Sequence, residues 1–356
     1  GWHTPTHRSE IDRRSNSLSF QKCQSTATGT LRPPSHDPRT HSTPTRMSSS
    51  AASFKNKVIL ITGAAGQFGS AGVRYFLKAG CRGVVACDLS SDAVAAALED
   101  SDAVGSDVPP FRVPLVPSDL ASAESSAIAA VESGSRVLAI SCNVTDAAAV
   151  GRAVFFAAGV YGGIDICWNN AGYQGAIVPT LSYPPEDFAR VMDVNVTGMF
   201  NVMQAVAKTM ASRPKEKSGS LHPYAIVNTA SVAALRCTPA MIAYASSKAA
   251  VLAMTVCAAK DLAPQGIRVN AVSPALIGPG GMWDRQNELH AASGSPYFDE
   301  DPEKVAATKI AGVPMKRLGS VDEVISAVAF LLGEGSSYVT GTNLVVDGGM
   351  SGGIKA

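Results

Sequence analysis

The segment that most constrains this chain is "KVILITGAAGQFGS", residues 57–70. Its short, continuous, branched apolar run reads as a strand buried on both faces. The run passes straight into glycines. "GQFGSAGVRYFLKAG" follows, with Phe68, Ala71, Gly72, Tyr75 and Phe76 at helical spacing and a stop at Gly80. Strand, glycine-rich turn and helix in that order suit a pyrophosphate. The turn lets the backbone come close, and the positive end of the helix faces the charge. Gly63, Gln67, Phe68 and Gly69 are the residues so placed.

Strand and helix keep alternating downstream. "GVVACD", "RVLAISC", "IDICWNNAG", "AIVNTAS", "IRVNAVSP" and "GTNLVVDGG" read as further strands, with helical stretches between most of them. That order predicts an α/β fold: one Rossmann-type, doubly wound domain of about seven parallel strands with helices on both faces. It is expected over residues 53–356. Residues 90–135 exceed one crossover helix and contain the Pro-rich "VPPFRVPLVPSD", which reads as an inserted surface loop. "SRPKEKSGSLHP" reads as a second, smaller polar insertion.

Residues 1–52 differ in kind. They are rich in Ser, Thr, Pro and Arg and lack apolar periodicity, so they are expected to be disordered. Two readings stay open: an organelle transit peptide, or upstream sequence ahead of Met47. The first would place the protein in a plastid or mitochondrion; the second leaves a cytoplasmic expectation.

Bulk properties exclude several partners. The net charge of +1 gives no reason to invoke nucleic acid or an anionic membrane. No apolar run in the sequence reads as a bilayer span. His222 and His290, the only histidines after residue 52, are not spaced with Cys or Glu as ligands, so no metal is expected. Seven cysteines without a CxxC pair suit a reducing compartment and buried free thiols. Cys237 reads as a small packed thiol.

Candidate ligand groups fall at strand ends. Asp88 closes the second strand, about 20 residues past the glycines, where a carboxylate bonds a ribose diol. A carboxylate there repels a 2′-phosphate, which favours NAD over NADP. The competing role is a helix cap. Leu89 follows it. Asn143, followed by Val144, could offer an amide to an adenine edge. Asn170, Ala171 and Gly172 would set small residues against a cofactor.

Three residues suggest proton chemistry. Ser231 ends a strand, and Tyr244 and Lys248 lie one helical turn apart. Removing a hydroxyl proton needs a base, and a free tyrosine, pKa about 10, is a poor one. A nearby ammonium is expected to lower that pKa. Ser231 could steady charge on the substrate oxygen. The bland alternative for the pair is a lysine that only reaches solvent.

From about Lys55 onward the chain resembles the short-chain dehydrogenase/reductase family. The matching elements come in family order: "TGAAGQFG", "NNAG", Asn195 in "VNVTG", Ser231, the Tyr244–Lys248 pair, "IRVNAVSP" and "TGTNLVVDGG". The resemblance implies that Asn195 shapes the site and holds a water in a proton relay. It implies that Lys248 bonds the nicotinamide ribose, that Pro274 and Ile277 border the cofactor, and that the protein is a homotetramer or homodimer. Gln67 replaces a fingerprint glycine, Asn143 the usual acid, Ala275 the usual glycine after Pro274, and Pro279 the usual threonine.

"NNAGYQGA", "YPPEDFARV", "GPGGMWDRQNEL" and "GSPYF" are similar to the NAD-dependent xylitol (polyol) dehydrogenases of that family. This implies oxidation of a polyol at a secondary alcohol, as in xylitol to D-xylulose. Gln174, Trp283, Arg285, Gln286 and Glu288 offer groups for a many-hydroxyl substrate; a solvated lid helix is the alternative. Other possibilities are a 3-oxoacyl reductase, a steroid dehydrogenase, or, from another class, a catalytically inactive dinucleotide sensor.

Overall fold

Successive residues of the first strand point to opposite faces. In β1 (Val58–Thr62), Val58 and Leu60 pack in a core with Phe156 and Met203. Ile59 and Ile61 pack in a second core with Phe76 and Val328. A strand apolar on both faces needs a layer of structure over each.

The protein's structure, a computed structural model, describes residues 54–99, 110–113, 120–213 and 223–352. The N-terminal tail and most of "SRPKEKSGSLHP" lie outside the described residues. After β1 come α1 (Gln67–Lys78), β2 (Gly83–Asp88), α2 (Ser91–Glu99), β3 (Phe111–Val113), α3 (Leu120–Glu132) and β4 (Val137–Ser141). Next are α4 (Ala147–Tyr161), β5 (Ile166–Asn169), α5 (Pro185–Met192), α6 (Met199–Ala211), β6 (Tyr224–Thr229) and α7 (Ala233–Arg236). The chain continues through α8 (Ile242–Leu262), β7 (Ile267–Pro274), α9 (Gly281–Ala291), α10 (Pro302–Ala311), α11 (Val321–Leu332) and β8 (Asn343–Val346).

The strands form one sheet in the order β3-β4-β2-β1-β5-β6-β7-β8, and every pairing is parallel. Residues of α4, α6 and α8 build the core on one face; residues of α1, α2 and α11 build the other. The order reverses between β1 and β5, which opens a crevice at their carboxyl ends. Close approach of α1 to the sheet depends on Gly72: a Cβ there would lie 2.4 Å from the Trp168 ring.

The described sheet has eight strands rather than the expected seven. The eighth is β3, within the segment read as a surface loop, and it pairs with β4 through Phe111–Leu138 and Val113–Ile140. Three residues with an exposed Arg112 between prolines give no apolar run to detect. The segment around β3 also carries α2 and α3.

A second expectation fails on α8. The stretch Ile242–Gln265 is long and apolar enough to cross a membrane. Val251, Ala258 and Ala259 are buried in the cores and Lys248 is buried beside the crevice, whereas Ile242 and Val256 are exposed. Cys81, Cys87, Cys142 and Cys167 are buried free thiols, but Cys237 and Cys257 are exposed. Cys237, with φ +53° at the end of the short α7, is open to the crevice that it lines rather than packed in a core.

Candidate active site

The crevice is a cavity of about 1090 Å³ at the carboxyl ends of β1, β2, β4, β5, β6 and β7. Its cofactor-side wall contains Gly63, Gln67, Phe68, Asp88, Leu89, Asn143, Val144, Asn170, Ala171, Gly172, Pro274 and Ile277. Gly69 stands apart from that wall and has a packing role. A Cβ there would lie 2.1 Å from the Gly63 carbonyl, so α1 can seat on the turn only with glycine. No side chain caps α1, and its first turn carries no acid. Its amino end is therefore a suitable cradle for a pyrophosphate.

Asp88 does not cap a helix. Its Oδ2 accepts from Ala65 N at 2.9 Å and its Oδ1 from Leu89 N at 2.7 Å. Ser90 Oγ, accepting from Ala93 N at 3.2 Å, serves α2 instead. The carboxylate is thus pinned to the glycine-rich turn. Asn143 Oδ1 accepts from both Thr145 N and Thr145 Oγ1, so only its NH2 faces outward unbound. Gln67 reaches across the crevice and donates to the Pro279 carbonyl at 3.4 Å. Asn170 is locked by Thr62 O and Thr229 Oγ1.

The proton-handling residues converge as the sequence suggested. Tyr244 and Lys248 lie on α8 and Ser231 follows β6; all three line the cavity. The Ser231 hydroxyl donates to the Tyr244 phenol oxygen, which favours the phenolate, but burial outweighs it and raises the phenol's pKa. Lys248 is 2 % exposed and donates to the Thr229 carbonyl at 2.7 Å. Burial lowers its pKa to about 8. Burial of both groups works against the phenolate that the neighbouring ammonium is expected to favour. Thr229, which the sequence reading passed over, fixes both that ammonium and Asn170.

Asn195 lies in a π-helical turn, Asp193–Gly198, and is fully buried behind the cavity wall. Its Oδ1 accepts from Tyr173 N at 2.7 Å; its Nδ2 donates to Tyr173 O and Ser247 Oγ at 2.8 and 3.0 Å. Its side chain holds protein groups rather than facing the crevice, because both amide hydrogens are already taken. In this geometry it is a positioning residue.

Of the substrate-side candidates, Gln174, Trp283 and Gln286 line the cavity. Arg285 and Glu288 are exposed and do not line it, although the Arg285 charge acts on the cavity residue Tyr173. The buried stripe of α9 is instead Trp283, Asn287 and His290, at i, i+4 and i+7. His290, Lys309, Arg190, Tyr297 and Phe298 also line the wall and were not singled out from sequence as site residues. The helical spacing from Trp283 would have found His290.

A parallel sheet with a glycine-turn crevice, a carboxylate pinned to that turn and a Ser-Tyr-Lys group defines a dinucleotide-dependent oxidoreductase. Its residues fit a nicotinamide dinucleotide. A family model described as enoyl-(acyl carrier protein) reductase matches residues 112–351. The 3-oxoacyl-(acyl-carrier-protein) reductase FabG of Thermotoga maritima is 32% identical over 83% of this chain and 98% of its own. L-2,3-butanediol dehydrogenase of Corynebacterium glutamicum is 36% identical over 59% of this chain and 77% of its own. A solved NAD+-bound xylitol dehydrogenase has 40% identity and a TM-score of 0.69, covering 83% of this chain and 99% of that one. The chain belongs to the short-chain dehydrogenase/reductase family.

Proposed function

We propose that the protein is an NAD-dependent polyol dehydrogenase that interconverts a secondary alcohol and a ketone, as in xylitol and D-xylulose. The observation that carries this reading is the set of hydrogen-bonding groups in the wall of the cavity that Tyr244 also lines. Gln174, Gln286, His290 and Lys309 all border the cavity, and Gln174 Nε2 has no partner in the described structure. A substrate with several hydroxyls would satisfy such groups, whereas an aliphatic one would strand them. The 40% identity to the xylitol dehydrogenase structure supports the same choice.

The bound nicotinamide supplies the hydride acceptor in oxidation and the donor in reduction. Tyr244 takes the hydroxyl proton in oxidation and returns it in reduction. Ser231 Oγ donates to the reacting oxygen as charge grows there. Lys248 holds positive charge beside the phenol and has donors left for a ribose diol. Asp88 favours NAD by repelling a 2′-phosphate. Assembly as a homodimer or homotetramer is part of the proposal, checked by sedimentation.

The deciding experiment is initial-rate NADH formation with pentitols and hexitols, run with NAD and NADP in parallel. Turnover of a polyol with NAD is expected; no activity on any polyol overturns the substrate. A second reading, reduction of a 3-oxoacyl thioester, has the Thermotoga maritima relative in its favour. NADH or NADPH oxidation with an acetoacetyl thioester tests it in the same plate.

A further inference from the structure

We propose that Lys309 and His290 together recognise a substrate hydroxyl beyond the reacting carbon, and so set the specificity of this cavity. The inference rests on the polyol reading. His290 is 1 % exposed on α9, with its ring edge-on to Phe298 at 4.3 Å. Its Nδ1 lies 2.7 Å from the Gln286 carbonyl. A carbonyl only accepts, so Nδ1 carries the ring proton. Burial first, then Lys309, push its pKa down to about 4, so the ring is neutral near pH 7. The lone pair therefore sits on Nε2, which is buried and has no hydrogen-bond partner in the described structure.

Lys309 comes from α10. Its Nζ donates to Asn287 Oδ1 at 2.7 Å and rests 5.3 Å from the centre of the Trp283 ring. It lies 3.1 Å from His290 Nδ1, but a protonated Nδ1 cannot accept. Lys309 thus has donors to spare on the Nδ1 side of the ring, the unmet acceptor is Nε2 of the same ring, and both residues border the cavity.

A lysine donor and an imidazole acceptor on neighbouring residues of one cavity wall match one functional group best. A hydroxyl gives one hydrogen bond and takes another. A carboxylate or ketone oxygen could receive from Lys309 but would leave Nε2 unmet. A methylene would meet neither. A site built to bond a hydroxyl rejects the analogue that lacks it far more strongly than an apolar pocket rejects a misfit.

The test compares the full-length wild type with Lys309→Met, His290→Phe and His290→Gln. Xylitol and 2-butanol are the substrates; the second has only the reacting hydroxyl. NADH binding, read by fluorescence, reports whether each variant keeps its cofactor site. Lys309→Met and His290→Phe are expected to raise the xylitol KM about tenfold or more, with kcat within about threefold. Their kcat/KM for 2-butanol should fall by a much smaller factor, so that the ratio of xylitol to 2-butanol drops. His290→Gln, which keeps an acceptor, should recover much of the xylitol KM. Variants that bind NADH yet keep the wild-type ratio of xylitol to 2-butanol overturn the inference. If His290→Phe loses NADH binding, Lys309→Met decides. A wild type that oxidises no polyol overturns the polyol reading and this inference with it. A polyol oxidiser indifferent to both substitutions overturns the inference alone.

Discussion

The Lys248 ammonium stands 5.6 Å from the centre of the Tyr244 ring and gives a hydrogen bond to the Thr229 carbonyl. Lysine and phenol are neighbours through space, and a strand-end carbonyl fixes their separation. The Tyr–Lys pair works only because β6 delivers that carbonyl and, two residues on, Ser231.

Tyr244→Phe removes the group that exchanges the substrate proton. Turnover should fall by about 10²–10⁴-fold, the usual weight of general acid–base catalysis. NADH affinity should stay within about twofold. Stopped-flow rates and fluorescence titration check the two parts separately.

Asn195→Ala leaves Tyr173 N, Tyr173 O and Ser247 Oγ without their partner. Each stranded buried group costs about 1–3 kcal/mol, with partial relaxation expected. Urea denaturation should show a loss of a few kcal/mol, and the kcat should fall as the loop bearing Gln174 loosens. Unchanged stability would mean that the amide does not brace this loop.

Asp88→Ala removes the carboxylate that takes Ala65 N and Leu89 N. The ratio of kcat/KM for NAD over NADP should drop by about tenfold or more, mostly through better NADP use. A wild-type preference for NADP would contradict the role given to Asp88.

His290 has an acid-side signature. An unfolded chain protonates it near pH 6.5, whereas burial holds the folded ring neutral down to about 4. Between those values the unfolded state binds more protons, so stability is full above 6.5 and falls as the pH drops towards 4. The loss attributable to this group is on the order of 3 kcal/mol. Urea midpoints at pH 7 and 4.5 should differ less in His290→Phe than in wild type. Lys309, held near 8 by burial, titrates outside this window.

The cofactor end was legible in sequence because it is local. β1, the turn and α1 are contiguous, and Asp88 ends the next strand. Tyr244 and Lys248 were legible for the same reason, as one turn of one helix. The sequence could not show that Thr229 anchors the lysine, since that bond spans 19 residues. Lys309 meets Asn287 across 22 residues and two helices, with no motif to announce it. On α9 the helical stripe through Trp283, Asn287 and His290 marks the buried residues. Burial, which opposes the phenolate, cannot be read from a spacing.

One consequence of β3 concerns solubility rather than catalysis. Without it the sheet would end on β4, whose Val137–Ile140 are all buried apolar residues. Such a rim is a template for pairing with another chain. β3 occupies it, is only three residues long, and shows solvent an arginine that reaches Asp92 and Glu99. β3 thus forms a charged selvedge at the edge of the sheet, away from the crevice.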